Sequence, residues 1–386
     1  MVYCSRQAHR CLPAAYFPRR SSAMEPLKHM YTRELLEDFA LKVSGVYPSF
    51  DRPGFLAAVF DNGWEARELK DRYRHIAQVL GGFLPADYDQ AIRILETLTG
   101  ECTGFPYIFF PEFVSLFGLE HWDTSLRALC SFTPSSSSEF AVRPFIEADQ
   151  DRMLAAMLAW TQAPNEHVRR LASEGCRPRL PWGKPLRRLI ADPEPLFPIL
   201  TALLQDESEY VRRSVANNLN DISKDHPETV LKLATAHLGS SRETDRLLKH
   251  ACRTLLKKGN PEALRLFGFG GGDIQAHVEI GELRVEPETI RLGEELRFSF
   301  RLAASQPVSV RLQYAIDYVK ANGKTAPKRF HLPERKEFCG DEAISWGVTV
   351  KDFTTRKHYP GYHRVSILVN GEERASAGFM LETSGD

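Results

Sequence analysis

A chain of 386 residues, 43% of them hydrophobic, is long enough to bury a sizeable core and to divide into two or three domains. Its 50 Lys plus Arg are matched by 50 Asp plus Glu, which excludes a uniformly basic nucleic-acid binder but leaves room for a local basic surface. No run of about 18 apolar residues offers a membrane span. The seven cysteines, Cys4, Cys11, Cys102, Cys130, Cys176, Cys252 and Cys339, contain no CxxC pair and no regular spacing, so neither a zinc site nor a disulfide framework is indicated and a reducing cytoplasm fits.

Residues 1–23 contain Arg6, Arg10, Arg19 and Arg20 without an acidic residue. This is superficially like a transit peptide, but Met24 precedes a helical pattern, and the stretch is expected to be a disordered extension. From Met24 to about Phe132, apolar residues three and four apart mark helices over 33–43, 54–60, 65–84, 87–100 and 111–118, punctuated by Pro48, Pro53, Pro85 and Pro106. The aromatic run FPYIFFPEFVSLFGLEHW is expected to form core. SFTPSSSSEFAVRPFI then reads as a serine-rich loop entering a helix with Glu139 in its first turn, where a carboxylate satisfies orphan amides and the helix dipole.

HVRRLASEG from His167 and YVRRSVANN from Tyr210 repeat at an offset of about 43 residues, the length of a two-helix HEAT or armadillo unit. Val168, Leu171 and Ala172, and Val211, Val215 and Leu219, recur at helical spacing as stripes buried against neighbouring helices. Arg170 and Glu174 stand four apart, as do Arg213, Asn217 and Asp221 in succession, so each set runs along the other side of its helix. That side is either a solvated ion-pair face or, once repeats stack, part of one continuous functional surface. In CRPRLPWG, Pro178 and Pro181 stop the first helix and leave Arg177, Arg179 and Trp182 on a short stiff connection. Trp182 there either plugs the space under the next helix or offers a flat face to a base or sugar.

Between 167 and 258, 17 Lys plus Arg face 11 Asp plus Glu, a balance of +6 that suits phosphate contacts. Further helices are expected over 227–238 and 244–258, the second carrying Arg246, Lys249, His250, Arg253 and Lys257 at helical spacing as phosphate clamps or a solvated face. FGFGGGD at 267–273 contains G-x-G but follows a helix. It lacks the strand-turn-helix setting of a phosphate loop and reads as a hinge. Beyond it, 274–386 alternates apolar and polar residues between turns, with a hairpin signal at Asn370-Gly371. About seven short antiparallel strands in an immunoglobulin-like sandwich fit this texture.

SEFAVRPFI at 138–146, VRRLASEGCRPRLPWG at 168–183 and SEYVRRSVANNLNDISKDHP at 208–227 together resemble the AlkC branch of the AlkC/AlkD bacterial DNA alkylation repair glycosylases, with a looser match from about Met24 to the end. The resemblance implies a mainly α chain: a HEAT-like α-solenoid over 24–266, followed by the immunoglobulin-like β-sandwich that AlkC-like proteins carry and AlkD-like ones lack. It also implies excision of N-methylated bases, chiefly 3-methyladenine, with 3-methylcytosine a further candidate, from duplex DNA in base excision repair, with carboxylates and a tryptophan near the lesion.

An N3-methylated adenine is cationic and already a good leaving group, so catalysis can concentrate on the oxocarbenium character left at C1′. Asp221 is expected to stabilise that cation and position water, Glu139 to assist, Glu174 to position groups within the site, and Trp182 to contact the lesion sugar or base. Arg177, Arg179, Arg212, Arg213, Lys249 and Arg253 are expected phosphate contacts, although Arg169 and Arg212 can equally point into packing between repeats. A cytoplasmic monomer acting on DNA without metal or cofactor is expected. A non-catalytic HEAT-repeat scaffold, binding DNA or protein, is the alternative, because the fold hosts many functions.

Overall fold

The computed structural model describes residues 26–269, 277–352 and 357–382. The expected extension at 1–23 and residues 270–273 of the expected hinge lie outside them. Sixteen α-helices among the described residues form the first part: α1 (Arg33–Val46), α2 (Arg52–Val59), α3 (Leu69–Phe83), α4 (Tyr88–Thr97), α5 (Phe109–Phe117), α6 (Trp122–Phe132), α7 (Arg143–Ala148), α8 (Gln150–Trp160), α9 (Glu166–Glu174), α10 (Arg187–Ala191), α11 (Phe197–Ala202), α12 (Glu209–Ile222), α13 (Pro227–His237), α14 (Arg242–Ala251), α15 (Arg253–Lys258) and α16 (Pro261–Leu266).

Their starts follow local chemistry. Thr32, Asp51, Asp87, Asn165, Ser241 and Asn260 each accept a first-turn amide at the head of α1, α2, α4, α9, α14 and α16, satisfying donors that the helix itself leaves unpaired. The middle of the aromatic run is core, as expected, while Phe105, Phe117 and Leu119 are exposed: Phe39 meets Phe109 edge-on at 5.0 Å, and Phe110 meets Phe132 at 5.6 Å. The single helix expected over 244–258 is two, broken at Cys252, and Gly259 closes the second in the left-handed region at φ 78°. α9 packs on α12, and α12 on α14, so the two V-R-R helices are neighbours in the stack.

The second part is the immunoglobulin-like sandwich. Its nine strands among the described residues are β1 (Val278–Ile280), β2 (Arg284–Glu286), β3 (Thr289–Arg291), β4 (Glu295–Val310), β5 (Leu312–Val319), β6 (Thr325–His331), β7 (Arg335–Thr349), β8 (Gly361–Val369) and β9 (Glu372–Glu382). In one sheet β4 pairs with β1, β2 and β7; the other runs β3-β9-β8-β5-β6. Leu296, Phe298, Phe300 and Leu302 point inward from β4 against Ile316, Val365 and Ile367 of the facing sheet, the period-2 pattern a half-buried strand requires. The sandwich is not wholly antiparallel, because β3 runs parallel to β9. The strand number exceeds seven, and β1, β2 and β3 hold only three residues each.

The two parts touch through backbone. Arg329 and Gln313 donate to the Lys257 carbonyl at 3.1 and 3.3 Å, pairing an acceptor that the end of α15 leaves open. Asn370 donates its side-chain amide to the Phe269 carbonyl at 2.5 Å. Gly371, at φ 87° in the expected hairpin, lies so near that a Cβ there would stand 2.3 Å from the Gly259 Cα.

Candidate active site

α9 ends at Glu174, and the turn after it supplies Arg177. α12 carries Arg213, Asn217 and Asp221 one turn apart, and exposure falls along that line from open Arg213 through half-buried Asn217 to Asp221, only 2% exposed. The line therefore turns inward rather than forming the expected outward face. Glu139 also differs from expectation: it sits in the turn before α7, four residues ahead of the first helical residue, Arg143, and Ser137 donates to its Oε2 at 3.0 Å.

These residues form a single file of alternating charge. Arg170 reaches Glu139 at 2.8 Å and Glu174 at 3.6 Å; Arg177 reaches the same Glu174 oxygen at 2.7 Å and Asp221 Oδ2 at 2.9 Å; Lys224 closes the file on Asp221 Oδ1 at 2.8 Å. The side chains are 17, 16, 7, 8, 2 and 37% exposed in the order Glu139, Arg170, Glu174, Arg177, Asp221, Lys224, so only the last member reaches well into solvent. Burial acts against the charges on Arg170 and Arg177, but the flanking carboxylates more than offset it and both pKa values are raised. Isolated charges at this depth would be strongly disfavoured, and alternation is what makes the file tolerable. A solvated ion-pair face is thereby ruled out for Arg170, Glu174 and Asp221.

The connection after α9 is stapled from α7. Buried Arg143 donates to the carbonyls of Gly175 and Arg177 at 3.0 and 2.9 Å and to that of Lys184 at 3.1 Å, and burial brings its pKa down to about 10. Trp182 is held with φ at 65°, a conformation few non-glycine residues adopt and one that accompanies functional loops, and its carbonyl accepts from Lys70. The residue is 59% exposed, so it is no plug.

The expected phosphate contacts divide. Arg177 is enclosed by the carboxylates and leaves that group. Arg212 donates to the carbonyls of Asp206 and Glu207 at 2.5 and 2.9 Å, the packing role that its sequence left open. Lys249 pairs with Glu334 of the sandwich at 2.6 Å rather than facing a free surface. Arg179, in a two-point pair with Asp225 at 3.0 Å, remains partly open. Arg213 is exposed beside Glu209. Half-buried Arg253 donates to Asn217 at 3.1 Å, and burial lowers its pKa. A cleft of about 330 Å³ between α12 and α14, lined by Glu209, Arg213, Arg246 and His250 among others, continues this side.

Arg143, Lys224, Tyr210 and Ser214 were not foreseen. Tyr210 lies under Arg170, 4.8 Å from ring centre to guanidinium carbon. Ser214 donates to Glu174 Oε2 at 2.6 Å. All four lie inside the quoted motifs, Arg143 in SEFAVRPFI and Tyr210, Ser214 and Lys224 in SEYVRRSVANNLNDISKDHP, where Ser214 takes the place that Leu171 holds in the first copy. Among the described residues no group of three or more His, Cys, Asp or Glu is placed to hold a metal ion, and no helix is long and apolar enough to cross a membrane.

A stack of paired helices with a buried acidic centre, docked to an immunoglobulin-like sandwich, defines a helical-repeat protein with a site on its α9–α12 side. Residues 135–255 match the family model described as DNA alkylation repair enzyme, and 279–383 match that of the C-terminal Ig-like domain of the uncharacterised protein YhaZ. The chain is 45% identical to the uncharacterized protein YhaZ of Bacillus subtilis (strain 168) over 360 residues, 93% of this chain and 100% of that one. It is 43% identical to the Pseudomonas fluorescens alkylpurine DNA glycosylase AlkC, solved bound to DNA containing an abasic site analog, with a TM-score of 0.88 covering 92% of this chain and 99% of that one. The chain belongs to the DNA alkylation repair enzyme family, in the branch that contains AlkC.

Proposed function

We propose that this protein is a DNA glycosylase that hydrolyses the N-glycosidic bond of cationic N-alkylated bases in duplex DNA, with 3-methyladenine the main substrate and 3-methylcytosine a second. What carries this reading is the line of three carboxylates that the file holds in place. Three carboxylates alternate with two buried guanidiniums, the half-open Lys224 covers Asp221 Oδ1, and Arg143 and Arg253 add their charges near Asp221. Carboxylates held in place are what a sugar acquiring oxocarbenium character requires, and preorganised ones cost no reorganisation during the reaction.

Asp221 is the cation-stabilising and water-positioning residue. Arg177 fixes its Oδ2, and Oδ1 becomes available to a sugar or water when Lys224 moves aside. Glu139, the most open of the three carboxylates, assists. Glu174, gripped between Arg170 and Arg177, holds the other two in register. Trp182 presents its ring to the lesion sugar or base, and Arg179, Arg213 and Arg253 contact phosphates. A cationic lesion with a weakened glycosidic bond does not demand a deep pocket, so base extrusion is not compulsory.

The test is release of 3-methyladenine from methylated duplex DNA. The wild-type protein should release it, and Asp221→Asn should bind the duplex yet release about 10²–10³-fold more slowly. Release at the buffer rate by wild type, with binding intact, would leave a DNA-binding protein without catalysis.

A further inference from the structure

Besides its ion pairs in the acidic file, Glu174 has a neutral partner. Its Oε1 takes both guanidiniums, while its Oε2 accepts a hydrogen bond from Ser214 Oγ at 2.6 Å. Ser214 is 2% exposed and meets Ser173, itself fully buried, hydroxyl to hydroxyl. Each hydroxyl has one proton, and a carboxylate can only accept. The Ser214 proton therefore goes to Glu174, and Ser173, whose hydroxyl also lies 3.4 Å from the Arg170 carbonyl, donates to Ser214 at the shorter of its two contacts.

The repeat supplies an independent argument. At the matching place in α9 stands Leu171, fully buried in the stripe. α12 gives up that apolar contact for a hydroxyl at the same depth, a substitution that weakens packing and leaves a polar group needing a partner. Its partner is a carboxylate of the site.

We infer that Ser214, primed by Ser173, is a positioning residue that locks the rotation of the Glu174 carboxylate, so that Arg170 and Arg177 share one oxygen and hold Glu139 and Asp221 in register. The inference rests on the glycosylase reading. With Ser214 removed, Glu174 turns about its last torsion and the two arginines lose their common anchor. The effect falls on the chemical step, because Ser214 has no exposure through which to touch DNA.

Single-turnover release from methylated duplex DNA, run beside DNA affinity on the full chain, tests it. Ser214→Ala is expected to slow release about tenfold, the order of effect of small misplacements in a site, with affinity unchanged. Ser214→Thr, which keeps the hydroxyl, should recover most of the rate. Ser214→Ala at the wild-type rate overturns the inference, and so does equal slowing by both variants, which would assign the effect to packing. If Ser214→Ala does not fold, Ser173→Ala replaces it: a several-fold slower release supports the relay, and an unchanged rate overturns it. Glu174→Gln separates the two levels. If it releases base normally, the glycosylase role of the file falls with the relay; if it is inactive while Ser214→Ala is normal, only the relay falls.

Discussion

α9 and α12 begin with the same V-R-R triplet and use it differently. Val168 and Val211 are both buried in the stripe. The first arginines do similar work: Arg169 grips the Asp206 carboxylate at 2.7 and 3.1 Å from one side, and Arg212 takes the carbonyls of Asp206 and Glu207 from the other. The second arginines part company. Arg170 is sunk between Glu139 and Glu174, whereas Arg213 lies open beside Glu209 on its own helix. Further along, Leu171 and Gly175 in one copy correspond to Ser214 and Asn218 in the other, and Asn218 donates to the Ser173 carbonyl at 2.8 Å. Stacking fixes the valines and first arginines, because both copies need the same turn held. Positions without that duty are where the copies diverge, and the polar centre occupies them.

The division predicts a descending series. Arg169→Ala should act on stability alone: it leaves Asp206, whose side chain is 5% exposed, without its guanidinium. The loss should be about 3 kcal/mol in denaturant unfolding, the low end for breaking a buried pair, since the Ser208 amide still donates to Asp206 at 2.8 Å. DNA affinity of the folded fraction should not change. A loss confined to activity would mean that the first arginine is not scaffold.

Arg170→Ala should act chiefly on rate. It removes the link between Glu139 and Glu174 and frees the Tyr210 ring beneath it, so base release should fall about 10–100-fold. Arg170→Lys should recover little, because one ammonium cannot reproduce a guanidinium fork shared by two carboxylates. Full activity in either variant would detach Glu139 from the site.

Much of the fold was legible, and the reasons are local. Helical spacing and prolines mark the helices up to α5, and strict alternation marks β4. The Asn370-Gly371 pair marks the β8–β9 turn because both residues need positive φ. The break at Cys252 was not legible, since Arg246 to Lys257 keeps helical spacing through it. At the site, the spacing of Arg170 with Glu174, and of Arg213, Asn217 and Asp221, placed each set on one side of its helix. It could not say how deep that side lies. Depth depends on the Arg177 turn folding over the last turn of α12, which Arg143 enforces from 34 residues away. The same long-range fold turned Arg177 from an expected phosphate contact into the bridge between two carboxylates, and the sandwich claimed Lys249 through Glu334.

A smaller effect should follow from Arg212→Ala. Its guanidinium is half-buried, and the two carbonyls it caps can turn to water, so the expected loss is about 1 kcal/mol, the worth of an ordinary hydrogen bond, with release unaffected. An effect as large as that of Arg169→Ala would mean that the two faces of the 206–207 turn are held equally.

Arg213→Ala is the sharpest control, because its expected effect on folding and on chemistry is nil. Its pair with Glu209 is exposed on both sides, 64 and 75%, at i,i+4, an arrangement that contributes little in water. If Arg213 meets a phosphate, the variant should bind methylated and unmethylated duplex equally less well. The slope of log affinity against log salt should flatten by about 1. Release from the bound complex should be untouched, since no atom of Arg213 joins the file. A slower release at saturating protein, approaching that of Arg170→Ala, would show that the second arginine serves the same end in both copies. The separation of scaffold from chemistry between α9 and α12 would then be wrong.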